Sequence, residues 1–252
     1  MNTIRFALAS LQYHRRSITP YWLTALFFFF ALSFFVCLKM SFDVFCQQIT
    51  TLFSPEERSL INTELFAADL KSYTEKIDTF YRLGFFLVGG LFILVTLLFL
   101  YFYLKKRPDL TVFRKSGVAN HRWLGQLLAE FLLPAFLLFL VVMVTLLIFQ
   151  PLLQTTIENS HRALIQHYGM DQLQIELING DDLTRWLVKL PANGTSLFNS
   201  IQLPARTWTL LFVQSALKTL AFFTACYFVL IPLIISFFLR RKAHDDRHTS
   251  SN

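Results

Sequence analysis

Four long apolar stretches, at 21–38, 83–104, 124–149 and 209–239, constrain this chain more than any other feature. About 20 apolar residues in helical form cross the roughly 30 Å of a bilayer's hydrocarbon, so each stretch is of spanning length. A chain in lipid must satisfy its own backbone, and apolar blocks of this length do so as helices. Composition agrees, with 54% hydrophobic residues, only 15% charged and 29 Phe among 252 positions. These values exclude a disordered chain, a disulfide scaffold and a soluble enzyme. The expected fold is mainly α: a polytopic membrane protein of four transmembrane helices, with a helical stalk and a small mixed α/β extracytoplasmic domain.

Charge then orients the chain. Segments 1–20, 105–123 and 240–252 together hold 13 Lys and Arg against 3 acids. Segments 39–82 and 150–208 hold 9 basic against 12 acidic residues. Cytoplasmic loops carry the excess of Lys and Arg, so both termini and 105–123 are expected in the cytoplasm. The net charge of +7 is thereby explained without nucleic acid as a partner. Arg15 and Arg16 precede the first stretch as in a signal peptide, but that stretch is long enough to span and no small-residue cleavage site follows. It reads as a retained signal anchor. Three cysteines, Cys37, Cys46 and Cys226, argue by their odd number against a disulfide framework, and a Cys37–Cys46 pair stays open.

The first external segment, 39–82, contains Ser54-Pro55-Glu56-Glu57, which has the residues of a capping box with Pro at the first helical position. Apolar residues follow at Leu60, Phe66, Leu70, Tyr73, Ile77 and Phe80, a helical period with one greasy stripe. With no Pro between this segment and the second span, 55–104 reads as one helix. Its outer part would project about 35–40 Å above the membrane at 1.5 Å per residue. The second external segment, 150–208, is too long for a plain connection. Residues 154–168 read as helix, 172–178 alternate as a strand and Asn179-Gly180 is a turn signal, which together predict a small cap domain. Residues 1–20 read as a surface helix on the inner leaflet, with Ile4, Leu8 and Leu11 on its apolar side. The tail from 240 is polar and basic.

Residues that could carry chemistry are few. There is no Walker A run, no G-x-S-x-G and no H-E-x-x-H, so no enzyme is expected in this chain. His244 and His248 have metal-ligand spacing, yet read as part of a solvated tail. His161 and His167 are six apart, the wrong spacing for one helix face. Glu130 lies inside the third span, where an ionisable group is a functional candidate by default. Its place near the cytoplasmic end favours headgroup contact, pairing with Arg122 or subunit pairing over proton relay. Lys218 sits near the outer end of the fourth span and reads as snorkelling. Gly84, Gly89 and Gly90 on the second span would let helices approach closely, as a dimer face or in plain packing.

The cytoplasmic loop 105–123 carries the most information. Asp109 complements the N-terminal dipole of a short helix, Arg114 and Lys115 its last turn, Gly117 stops it and Asn120 caps the third span. Leu110, Val112 and Phe113 are apolar in an otherwise charged segment. They read either as dipping into the bilayer interface or as plugging into a cytosolic partner.

Arg107, Asp109, Arg114, Gly117, Asn120 and the early Glu130, together with four spans and external segments after the first and third, resemble the FtsX/MacB-type ABC transporter permease. Asp109 stands where that family usually has Glu, Pro108 interrupts the basic run and Thr111 replaces a frequent Gly. The resemblance implies a subunit of the bacterial cytoplasmic membrane, paired with a second permease copy or paralogue. It would be bound to a cytosolic ABC ATPase that holds the ATP and magnesium, this chain needing no cofactor. Arg107, Asp109, Leu110, Phe113, Arg114, Gly117 and Asn120 would form the ATPase-coupling element. An extracytoplasmic accessory protein on the stalk is left open. Two outputs fit: extrusion of an amphiphile such as an antimicrobial peptide or lipid, or activation of a cell-wall hydrolase or sensor. A four-span protein with no ATPase is a third reading.

Overall fold

The computed structural model describes residues 9–13, 15–52, 63–106, 120–168 and 203–249. Five helices account for nearly all of them: α1 (Arg15–Leu52), α2 (Thr63–Lys105), α3 (Asn120–Ile148), α4 (Gln150–His167) and α5 (Ala205–Thr249). No strand occurs among the described residues. The strand expected at 172–178, its turn and residues 107–119 of the expected coupling loop lie outside them, as do the capping residues Ser54 to Glu57.

Four of the helices contain a segment long and apolar enough to cross a membrane: Ile18–Gln48, Lys71–Lys105, Leu124–Ile148 and Ala205–Phe237. The chain is therefore a mainly α, multi-pass membrane protein. Its outward surface supports the same conclusion. On α2, Leu83, Leu87, Leu91, Leu94, Leu98 and Phe102 recur every three to four residues and are all exposed. An apolar stripe of that length would be a liability in water, but in lipid it faces its own solvent.

The helices outrun the stretches expected from hydropathy. α1 continues past residue 38 to Leu52, and α5 past residue 239 to Thr249. α2 is unbroken for 43 residues. At 1.5 Å per residue that is about 65 Å, twice the hydrocarbon thickness. The expected continuity of stalk and second span holds from Thr63 onward. Of the expected stripe, Ile77 is buried, as is Tyr81 four residues on, whereas Phe80 is 45% exposed; Leu60 lies outside the described residues.

Pro20, Pro134 and Pro232 all sit inside helices. Each removes one backbone donor, so the helix offers no N–H to the carbonyl four residues earlier. Surrounding packing tolerates this within membrane bundles. Cys37, Cys46 and Cys226 are free thiols. Cys37 and Cys46 lie nine residues apart on α1, about 13 Å along its axis, which is beyond the reach of a disulfide.

The chain divides into two compact units, Met1–Leu32 with Leu87–Met143 and Ala216–Asn252, and Ser33–Phe86 with Val144–Ser215. In the first, Phe29, Phe92, Phe131, Phe223 and Tyr227 form an aromatic core, with Phe92 and Phe223 stacked at 4.0 Å. In the second, the core is built from Phe42, Ile77, Tyr81, Ile157, Trp208 and Phe212.

Candidate functional site

Buried polar groups are costly where water is absent, so their positions mark where side chains other than lipid-facing ones are needed. The described residues place such groups in both units.

In the first unit, α1, α2 and α5 each contribute a hydroxyl. Tyr21 Oη lies 3.1 Å from Thr96 Oγ1 and 2.9 Å from Tyr227 Oη. All three residues are buried. The Tyr21 ring stacks on Phe99 at 4.2 Å, and Phe131 packs against Tyr21, Tyr103 and Tyr227. Hydrogen bonds of this kind between membrane helices each contribute about 0.6 kcal/mol, so the three-helix junction adds orientation more than stability.

The same unit holds Glu130. It is 1% exposed, and Tyr103 Oη donates to its Oε2 at 3.3 Å while Gln126 Nε2 reaches Oε1 at 3.5 Å. Headgroup contact, one of its expected roles, does not fit this burial: the carboxyl faces protein. Among the described residues it is the only buried acid. Tyr103 lies two residues before the end of α2, and Glu130 near the start of α3. Their contact therefore holds together the two helix ends that flank 107–119.

In the second unit, a single imidazole joins three helices. His161 on α4 places Nε2 2.9 Å from Ser41 Oγ on α1, and Tyr81 Oη on α2 hydrogen-bonds Nδ1. Ser41 Oγ also donates to the carbonyl of Leu38 at 3.0 Å, which uses its only proton. Ser41 must then accept from Nε2–H, and Nδ1 must accept from the Tyr81 hydroxyl. The network thus assigns the neutral Nε2–H tautomer. Burial disfavours the imidazolium and pushes the His161 pKa down to about 3. With Ser41, Tyr81 and His161 all buried, and the serine proton directed away from the histidine, the trio is a structural clamp and not a nucleophile with its base.

Beside it lies an ion-pair cluster. Lys39 Nζ is 3.0 Å from Asp78 Oδ1 and 3.2 Å from Asp43 Oδ2, and Arg82 reaches Asp78 Oδ2 at 2.6 Å. From Ile18 to Lys39 α1 rises about 30 Å, the thickness of a bilayer's hydrocarbon.

The residues singled out from the sequence are distributed as follows. Arg107, Asp109, Leu110, Phe113, Arg114 and Gly117 lie outside the described residues, and Asn120 is the first residue of α3. A Cβ on Gly84 would fall 2.5 Å from the Phe35 ring, and one on Gly89 3.2 Å from Phe222. Both glycines thus face helices of this same chain, while Gly90 opens onto empty space. Tyr21, Thr96, Tyr227, Ser41, Tyr81 and the pairing of His161 were not anticipated. The one available signal was polar residues set within apolar runs.

Comparison with protein-family models, with curated proteins and with solved structures finds no match for this chain. What the fold defines is a class, the helical multi-pass membrane protein, with four candidate spans among the described residues.

Proposed function

We propose that this chain is the membrane subunit of an ABC transporter of the FtsX/MacB type, working as a mechanical transmitter. The observation that carries the reading is α2. This one helix of 43 residues runs from outside the apolar span, through it, to Lys105, immediately before the coupling segment. A rod without a break passes tilt at one end to the other without a pore. The buried interior is compatible with this, since Glu130 is the only buried acid among the described residues and no charged pathway is laid out.

On this reading both termini are cytoplasmic, the membrane is the bacterial inner membrane and 150–208 forms an extracytoplasmic cap. Leu110 and Phe113 enter a cytosolic ATPase, and the bond between Tyr103 and Glu130 fixes the helix ends from which the coupling element hangs. The working output is extrusion or release of an amphiphile such as an antimicrobial peptide or lipid.

The test is a mild-detergent pull-down from native membranes, comparing the natural chain with a Phe113→Ala, Gly117→Val double variant. Co-purification of an ABC ATPase with the former alone supports the reading. If no ATPase accompanies the chain, or both forms retain it equally, the coupling assignment fails. Stimulation of that ATPase by a protein partner and not by amphiphiles would move the output to signalling.

A further inference from the structure

One helix, α4, touches an end of each of the four apolar stretches. It begins at Gln150, directly after the stretch 124–149. The Gln150 side chain donates to the Ala205 carbonyl at 3.4 Å and lies 3.2 Å from Thr209 Oγ1, and Thr209 opens the stretch 209–239. Eleven residues further on, His161 bonds Ser41, three residues past the stretch 21–38, and Tyr81, two residues before the stretch 83–104. Lys39 and Arg82 adjoin those last two ends. All of these contacts lie within one compact unit.

The direction of α4 follows from them. A helix that continued the course of α3 would carry His161 about 16 Å beyond Gln150. Its partners instead sit only about 3–5 Å past the ends of their apolar stretches. α4 therefore crosses the helix ends and does not rise from them. The chain turns at Phe149, with φ −91° and ψ 16°, just before Pro151, which offers no N–H to the Leu147 carbonyl.

We propose that α4 is an interfacial helix, lying along one membrane surface with its exposed face among phospholipid headgroups. Charge is costly in hydrocarbon, so the places where four apolar stretches stop share a boundary, and α4 runs along it. The inference is independent of any ATPase partner. The exposed surface matches lipid as the occupant. Val144, Ile148, Phe149 and Leu152 are each more than half exposed, so the lipid-facing surface of α3 continues around the turn onto α4. Beyond Leu152 the hydroxyls are satisfied within the helix: Thr155 and Thr156 donate to the carbonyls of Pro151 and Leu152 at 3.0 and 2.9 Å. Such threonines tolerate a half-dry interface. Arg162, also exposed, carries the guanidinium that suits phosphate.

Depth measurements on the full chain in lipid nanodiscs read this directly. Nitroxide labels are placed one at a time at the exposed positions, as Leu152→Cys, Asn159→Cys and Gln166→Cys, in a Cys46→Ser background that leaves only the buried Cys37 and Cys226. Power saturation with oxygen and a nickel chelate then gives each label's depth. A helix rising from the membrane would carry Gln166 about 21 Å farther out than Leu152. The interfacial helix should instead keep the three labels within about a third of that distance of one depth, at headgroup level. Bulk-water accessibility at Gln166 overturns the proposal. So does low access to both reagents at all three sites, which means that a second copy or another protein covers the face. Should the labelled chains not fold, the natural chain decides. Irradiation with a phospholipid carrying a diazirine in its headgroup should attach lipid to residues 150–167, and crosslinking that omits α4 rejects the interfacial helix.

Discussion

Tyr103 and Glu130 meet through a 3.3 Å hydrogen bond from phenol to carboxyl, near the end of one membrane helix and the beginning of the next. Both are buried, so the bond forms where water cannot replace it. Its loss takes a donor away from a buried carboxyl, which costs more than the small net worth of an ordinary exposed hydrogen bond.

Tyr103→Phe should therefore destabilise the solubilised protein by about 1–3 kcal/mol, a drop in Tm of several degrees. Glu130→Gln retains an acceptor and should cost less. A double-mutant cycle on Tyr103 and Glu130, followed by thermal melting, should give a coupling of about 1 kcal/mol. Additive losses would show that the bond contributes nothing.

Gly84 and Gly90 should respond oppositely to alanine. At Gly84 the new methyl would meet the Phe35 ring at 2.5 Å, so the ring or helix must shift, at about 1–3 kcal/mol. At Gly90 nothing lies within 4 Å, and alanine should be neutral or add up to about 1 kcal/mol through helix propensity. Melting temperatures of the two variants, measured side by side, test the order.

The ion pairs of the second unit should be unequal. Asp78 serves both Lys39 and Arg82, whereas Lys39 keeps Asp43 if Asp78 is removed. Arg82, more than half exposed, should be replaceable by alanine within about 0.5 kcal/mol. Asp78→Ala should cost more, because it leaves Arg82 and Lys39 facing each other. High salt should narrow the gap between the two variants.

Stability should fall with acidification through His161. Its folded-state pKa, about 3, lies below the ordinary value of 6.5, so the unfolded chain binds the proton first. The stability associated with neutral His161 is fully present above pH 6.5 and is lost progressively as pH falls toward 3. The slope for one such group is about 1.4 kcal/mol per pH unit at most. Subtracting the melting curves of H161Q from those of the natural chain at each pH isolates it. A difference that does not change over that window would place the destabilisation elsewhere.

Much of this architecture was legible from the order of residues. Apolar runs long enough to span a bilayer determine four membrane helices, because a chain in hydrocarbon can satisfy its backbone only within itself. The unbroken α2 followed from the lack of proline between stalk and span, and most of α4 coincides with the helix read at 154–168. What hydropathy could not supply was direction. Phe80 and Tyr81 are neighbouring aromatics, and only packing turned Tyr81 inward and left Phe80 outside. In lipid both faces of a helix are apolar, so composition does not mark the buried side.

The polar contacts were further from view. Tyr21 finds Tyr227 206 positions away, and His161 finds Ser41 120 positions away. Spacing along one helix shows neither pair, and measuring His161 against His167 looked along the wrong element. The sequence by itself determined which segments must be helices and which of them enter the membrane, because backbone satisfaction and apolar transfer are local, additive costs. Tertiary structure alone decided which polar groups meet, because a buried hydroxyl, carboxyl or imidazole is set by whichever distant helix brings it a partner.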